Sequence, residues 1–201
     1  MDFTPDRAAQ EAKQKEIEAL LEQSSEGGAT LTPTQIKQLV DSFISISPPL
    51  DPPHLMTFTT MAALGRGGAN SRKPGNITLN WRRLFDLVPD ITLAGAGAVG
   101  TTWLLPVAAL YVWMKLLNSA TIKIEEKDAF VLYALWTHKN DKDRISEDDG
   151  FAKSNLLAEK HGMPPIQRDT FDRAVNKLSS LDCIELEAGI IWLREWVRIK
   201  Y

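Results

Sequence analysis

The sequence predicts a mainly α protein with a small antiparallel β-hairpin, in which a helical amino-terminal part precedes a carboxy-terminal domain of three helices and the hairpin. Three observations predict this class. Apolar residues recur at helical spacing along most of the chain, a long uncharged segment occupies 91–114, and strand-like alternation is clear only after residue 183. We expect three regions: a charged terminal helix and linker (1–30), a helical region with a central apolar helix (31–119), and the carboxy-terminal domain (120–201).

Composition restricts the functional classes before any motif is considered. The chain has 201 residues, 44% of them hydrophobic and 24% charged, and a net charge of −3, which is typical of a soluble globular protein. Proteins that bind nucleic acid through phosphates usually carry a basic excess, so any such binding here needs a local patch. Cys183 is the single cysteine and the first residues lack an apolar signal core, so we expect a reducing, cytoplasmic location.

Residues 5–24 are rich in helix formers. Ile17, Leu20 and Leu21 are their only bulky apolar residues and share one helical face. Two interpretations remain open at this point: a solvated or frayed terminal helix, and a short helix that binds a partner or forms a coiled coil. The following SSEGGAT stretch is typical of a linker.

The second helix has a clear beginning at Thr32-Pro33-Thr34-Gln35. Thr32 can cap the helix, Pro33 suits its first position, and Gln35 can bond back to the cap. The helix should end before Ser47-Pro48, because proline disfavours helical geometry in the preceding residue. Its apolar face is expected to contain Ile36, Leu39, Val40 and Phe43.

The most basic part of the chain follows, and no acidic residue lies between Asp51 and Asp86. HLMTFTTMAAL fits either a helix or a strand, and GRGGANSRKPGN fits a flexible loop. The segment can contact phosphate or an acidic partner, or it is a solvated surface loop. Its candidate binding residues are Arg66, Arg72, Lys73, Arg82 and Arg83.

The uncharged segment 91–114 is long enough to cross a bilayer. Its glycines, threonines and Pro106 make it only weakly hydrophobic, and its aromatic residues are not confined to two interfacial belts. We therefore predict a buried core helix over 102–118. Membrane contact through 91–117 is the alternative.

The same segment contains Gly95-Ala96-Gly97-Ala98-Val99-Gly100, which matches G-x-G-x-x-G. With Glu125 or Glu126 downstream, it resembles the dinucleotide fingerprint of Rossmann dehydrogenases, in which glycines approach a pyrophosphate. No further β-α-β units follow, and Pro106 falls inside the expected helix. We therefore predict close packing of small residues and no cofactor.

The carboxy-terminal domain is predicted to begin with a short strand over Ala120–Ile124, followed by a helix over 126–138 and a polar loop. Ser146 can cap the next helix, whose first turn is acidic, and Gly162 with Pro164-Pro165 ends it. The third helix, over 168–180, shows the strongest periodicity, with Phe171, Ala174, Val175 and Leu178 on one face. Two strands that turn at Ala188-Gly189 follow, and the second continues to Ile199.

The phrase TFDRAVNKLSSLDCIELEAGIIWL is similar to the third helix and wing of winged-helix proteins, and the resemblance covers about 120–201. That family includes transcription factors, subunits of replication and chromosome assemblies, and protein-interaction modules. In members that bind DNA, the third helix enters the major groove. The resemblance therefore implies contacts by Arg168, Arg173, Asn176 and Lys177. However, residues 121–201 contain 13 basic and 15 acidic residues, a net of −2, so a protein partner is favoured over DNA.

The last predicted strand carries an unusual face, because aromatic and basic residues occupy every second position and therefore lie on the same side. Such a face can stack on bases or bind a protein, or its tryptophans pack on the preceding domain beneath the arginine stems. Exposure of the tryptophans would favour an interface. The residues of this face are Trp192, Arg194, Trp196, Arg198 and Lys200.

Residue patterns of catalysis are missing from the sequence. His54, His138 and His161 lack metal-ligand spacing, and neither a G-x-S-x-G motif nor a P-loop occurs. We expect no metal, no cofactor and no small-molecule substrate. The leading hypothesis is a non-enzymatic adaptor of a larger bacterial-type assembly or a homodimer. The alternatives are a DNA-binding regulator, a membrane-associated effector using 91–117, and a nicotinamide-linked oxidoreductase.

Overall fold

The structure of the chain is a computed structural model that describes residues 3–23, 32–51, 72–85, 104–117 and 122–201. These ranges contain seven helices and three small antiparallel sheets. The protein therefore combines helices with more β-structure than the single hairpin that we predicted.

The elements are numbered in chain order. The amino-terminal part contains β1 (Thr4–Pro5), α1 (Arg7–Gln23), α2 (Pro33–Phe43), β2 (Ile44–Ser47), β3 (Leu50–Asp51), β4 (Asn76–Asn80), α3 (81–85) and α4 (Leu104–Leu116). The carboxy-terminal part contains α5 (Glu126–His138), β5 (Arg144–Ser146), α6 (Glu147–Lys160), α7 (Arg168–Ser180), β6 (Ile184–Glu187), β7 (Ile190–Leu193) and β8 (Trp196–Lys200).

Helix α1 forms where it was predicted, but both interpretations of its apolar face were wrong. Ile17 and Leu21 are buried, and the helix packs against α2 and α4 of the same chain. The face is therefore neither solvated nor free for a partner, because it completes the chain's own core. The linker after Gln23 lies outside the described residues.

Helix α2 has the predicted capping box. The Gln35 amide donates to Thr32 Oγ1 at 3.3 Å, and the Thr32 amide donates to Gln35 Oε1 at 2.8 Å. The helix ends at Phe43, and the chain continues directly as β2. Its four predicted apolar residues are all buried.

Strands β2, β4 and β8 form the first sheet, in which β4 is central and both pairings are antiparallel. The region 31–119, which we predicted to be a helical region with a central apolar helix, thus also contains strands. The reason lies in the two-residue alternation of Asn76–Asn80, which buries Ile77 and Leu79 and turns the polar residues outward. Strand β8 contributes Val197 to the buried face.

Helix α4 confirms the core helix predicted for 102–118, with slightly narrower bounds. Pro106 lies in its first turn, where the missing amide proton costs no helical hydrogen bond. Gly95–Gly100 and the rest of 91–103 lie outside the described residues. No helix in the described ranges combines the length and the apolar character that a membrane crossing requires.

The carboxy-terminal helices have the predicted bounds, but one strand was assigned wrongly. Residues 122–125 form no strand, and the sheet in the order β5–β7–β6 takes its third strand from Arg144–Ser146. Ile145 is buried between two polar neighbours, which is the alternation of a half-buried strand. Before α5 the Glu125 amide instead donates to Asp128 Oδ2 at 2.8 Å, which starts the helix.

The parts on either side of residue 119 share one hydrophobic core. The Trp113 Nε1 of α4 donates to the Leu181 carbonyl at 2.6 Å, just after α7. Phe85, in α3, packs with its ring centroid 5.8 Å from that of Trp136 in α5. The domain boundary predicted near 119 stays a prediction, since 118–121 lie outside the described ranges.

Candidate functional site

Strand β8 presents an exposed aromatic and basic face. Val197 points into the core, so Trp196 and Arg198 on either side of it point outward. The Trp196 side chain is 52% exposed, one of three large hydrophobic residues found exposed in the described ranges. The Arg198 guanidinium carbon lies 5.1 Å from the Trp196 ring centroid, which is a cation–π distance.

Neighbouring strands build a concave surface around this pair. Asn80 and Thr78 of β4 lie opposite Trp196 and Arg198 in the antiparallel register. The resulting depression, here called the Trp196 cleft, has a volume of about 430 Å³. Its lining consists of Asp41, Ser42, Phe43, Ile44, Ser45, Thr78, Asn80, Arg83, Trp196 and Arg198.

The Trp196 cleft joins residues from two separately predicted sites. Arg83 was a candidate of the basic segment, and Trp196 and Arg198 were candidates of the last strand. In the described ranges, neither arginine has a carboxylate within ion-pair distance. Two guanidinium groups and one exposed indole therefore face the solvent beside the single carboxylate of Asp41.

The prediction of one continuous strand through 190–200 was wrong. The chain leaves the hairpin at Arg194, whose amide still donates to the Cys183 carbonyl at 3.2 Å. The next carbonyl, that of Glu195, accepts from the Trp81 amide at 2.8 Å and leads into β8. The predicted face is divided between two sheets, so Trp192 and Arg194 are separated from Trp196, Arg198 and Lys200.

Trp192 has a structural environment. It is partly buried, and the Arg144 guanidinium carbon lies 3.5 Å from its ring centroid. Arg144 and Trp192 are direct neighbours in the β5–β7 pairing, which explains the stacking. Arg194 lies 3.7 Å from a carboxylate oxygen of Asp182 and 3.6 Å from one of Glu185, so its charge is locally balanced.

The third helix, α7, offers less free positive charge than its sequence indicated. Arg168 contacts the carboxylates of Glu147, Asp148 and Asp172 at 2.7–2.9 Å. These hydrogen bonds, that of Asp148 first, raise the pKa of the Arg168 guanidinium above its usual value. The guanidinium joins α6 to α7, which makes it a poor candidate for a phosphate contact.

Lys177 is also engaged within the chain. Its Nζ lies 2.9 Å from Oδ2 of Asp128, a carboxylate that is only 3% exposed at the first turn of α5. Arg173 and Asn176 remain exposed, and Arg173 hydrogen-bonds only to the Asp169 carbonyl and the Thr170 hydroxyl in the described ranges. The four predicted residues of α7 therefore do not form one free basic surface.

The other residues of the basic segment are dispersed. Arg72 pairs with Asp6 at 2.6 Å and Asp51 at 3.2 Å, beside β1 and β3. Lys73 lies over the ring of Phe3, and Arg82 is 3.9 Å from Glu195. Arg66 lies outside the described residues. Only Arg83 joins the Trp196 cleft.

Sequence reasoning missed the partners of these cations. Asp128 is 49 residues from Lys177, and Asp41 and Thr78 come from elements that were not predicted to lie near β8. The alternation of 76–80 was the available signal for β4, but alternation alone does not identify the pairing strand. Among the described residues, no group of three or more His, Cys, Asp or Glu side chains could hold a metal ion.

Cys183 is fully buried, and its thiol lies 3.6 Å from the Leu181 carbonyl. Burial raises the pKa of the Cys183 thiol, and the charge of Asp182 adds to this effect. We expect the native chain to resist an aromatic disulfide reagent at pH 8 and to react fully once unfolded in guanidinium. A native thiol that reacts as fast as the unfolded one would contradict this environment.

No protein-family model, no curated protein and no solved structure significantly matches this chain.

Proposed function

We propose that the chain is a non-enzymatic, cytoplasmic interaction subunit and that the Trp196 cleft binds a protein partner. The exposed Trp196 beside Arg198 and Arg83 is the observation that carries this proposal. Tryptophan and arginine are the residue types most enriched among binding hot spots, and hot spots lie in concave surfaces. The two guanidinium groups favour a partner that places a carboxylate next to an apolar side chain.

We propose further that the residues from about 120 to 201 form a winged-helix domain whose last strand, β8, pairs outside it with β4. Three helices, α5 to α7, precede the β6–β7 hairpin, and β5 adds to the hairpin as a third strand. Helix α7 packs on α5 and on β6, so the helices and the sheet share one core. This arrangement supports the resemblance, and it accommodates an interaction module as readily as a DNA-binding one.

DNA binding is the weaker alternative. Arg168 and Lys177 are held by internal carboxylates, which must be displaced before either residue meets a phosphate. If α7 nevertheless binds DNA, duplex affinity should fall steeply with salt and should be lost in Arg173→Ala. We expect instead that the chain does not bind duplex DNA at low salt through Arg173.

The partner site can be tested by photocrosslinking of the full chain in extracts of its native host. One version carries benzoylphenylalanine in place of Trp196, and the control carries it in place of Leu186, which is 38% exposed on β6. We expect a discrete protein adduct only from position 196, reduced at least tenfold when Arg198→Glu is added. The proposal would be wrong if positions 196 and 186 gave equal amounts of protein adduct, or if position 196 crosslinked to nucleic acid alone.

Once the adduct is identified, Trp196→Ala should weaken binding of that purified partner about 30-fold, the effect of a hot-spot loss near 2 kcal/mol. The free energy of unfolding of the Trp196→Ala variant should differ from that of the natural chain by less than about 1 kcal/mol, because half of the Trp196 side chain is already in water. Isothermal titration and urea unfolding measure the two quantities. A large stability loss with unchanged affinity would instead assign Trp196 to the architecture.

A further inference from the structure

A second concave surface is lined only by residues of the carboxy-terminal part. Three depressions of about 380, 300 and 520 Å³ follow one another along α5, the α6–α7 turn and α6. Lys127 and Thr170 line the first and the second. Met163 and Pro165 line the second and the third. The three depressions adjoin, and they are here called the α5–α7 groove.

One end of this groove is basic. Lys123, Lys127 and Arg173 are exposed there, whereas Lys177 is paired with Asp128. In the described ranges, none of the three exposed cations has a carboxylate within ion-pair distance. Glu125 is the only other acid that lines this end, so positive charge prevails.

The other end is apolar. Leu156 is 55% exposed, which is the largest exposure found for a bulky hydrophobic residue in the described ranges. It lies beside Met163 and Pro165 in the third depression, which Glu159 closes. The groove is therefore positively charged at one end and carries a carboxylate at the other.

Hydrogen bonds and a tight turn hold the wall between the two ends. Asn155 accepts a hydrogen bond from the Ile166 amide at 2.7 Å and donates one to the Ile166 carbonyl at 3.2 Å. Gly162 takes a left-handed conformation at φ 66°, and the Met163 amide donates to the Ala158 carbonyl. Pro164 and Pro165 restrict the remaining turn. A ligand would therefore meet a preformed groove and lose little free energy in ordering it.

We propose that the α5–α7 groove binds a protein segment that carries both carboxylates and large apolar side chains. The carboxylates lie against Lys123, Lys127 and Arg173, and the apolar side chains cover Leu156 and Met163. Charge complementarity at the basic end and the exposed leucine at the other select this ligand over a uniformly anionic one. The inference does not depend on the Trp196 cleft, with which the groove shares no lining residue.

A random-peptide display library provides the test. The bait is the full chain carrying Trp196→Ala, so that the first cleft does not contribute to selection. We expect enriched peptides in which Asp or Glu stands next to Leu, Met or Phe. Their affinity for the chain should fall at least tenfold in Lys127→Glu and in Leu156→Ser. The control is Lys153→Glu, which should leave the affinity unchanged, because Lys153 is exposed on α6 and does not line the groove.

The outcomes separate this surface from the first. Enrichment of basic peptides, or of none, would overturn the inference. The inference would also be overturned if neither groove substitution changed the affinity of the selected peptides. It would be overturned as well if short duplex DNA displaced these peptides at equal concentration. Restored binding in Lys127→Arg would support a role of charge over a folding defect, and circular dichroism of each variant checks the fold. Failure of the Trp196 crosslinking experiment does not affect these results.

Discussion

Trp113→Ala is expected to lower the free energy of unfolding by about 3–5 kcal/mol, the usual cost of truncating a buried tryptophan. Trp113, in the last turn of α4, is only 1% exposed. Its removal leaves a cavity between α4 and the carboxy-terminal helices, and it leaves the Leu181 carbonyl without the 2.6 Å hydrogen bond that it now accepts. Both losses act on the contact between the two predicted parts of the chain.

Trp196→Ala provides the matched control for this experiment, because it deletes the same side chain from an exposed position. Urea unfolding followed by circular dichroism measures both variants. We expect Trp113→Ala to shift the midpoint several times further than Trp196→Ala. Equal shifts would mean that the Trp113 contact with Leu181 does not contribute to the native state. Trp113→Phe should lie between them, since it keeps most of the volume and loses the hydrogen bond.

Lys177→Met is expected to cost about 2–3 kcal/mol of stability, because it leaves a buried carboxylate without its cationic partner. Asp128 is 3% exposed and accepts only two hydrogen bonds in the described ranges, from Lys177 and from the Glu125 amide. The Lys177 side chain keeps 28% of its surface exposed, so water reduces the cost below that of a fully buried pair.

Arg173→Met is the control, since Arg173 lies on the same helix and has no carboxylate partner in the described ranges. Its cost should stay within about 0.5 kcal/mol, as for other surface substitutions. Thermal unfolding at neutral pH and moderate salt compares the two variants. If both variants are equally stable, the Asp128–Lys177 pair has no structural role. Lys177 would then again be a candidate for binding a ligand.

Local chemistry made much of the fold predictable. Ser146 Oγ accepts from the Asp149 amide at 3.1 Å and begins α6, while Gly162 has the left-handed φ expected after the end of a helix. Ala188 and Gly189 both have positive φ in the hairpin turn, as the sequence indicated. Caps and turns are decided within a few residues, so one sequence is enough to find them.

Pairing between distant segments could not be predicted in this way. Residues 190–200 alternate as one strand would, yet the chain changes sheets between Arg194, whose amide donates to Cys183, and Glu195, whose carbonyl accepts from Trp81. The same pairing brings Arg198 opposite Thr78 and near Arg83. The Trp196 cleft was therefore invisible in the sequence, although Arg83, Trp196 and Arg198 were each candidates.

The position of β8 also has a consequence for how the protein is made. Its partner β4 and the strand beyond it, β2, are synthesised more than a hundred residues before it. During translation, β4 can pair with β2 on one side, but its other edge has no partner until residue 200 leaves the ribosome. Long loop closure slows folding, so the nascent chain must keep this two-stranded sheet from pairing with that of a neighbouring molecule until β8 arrives.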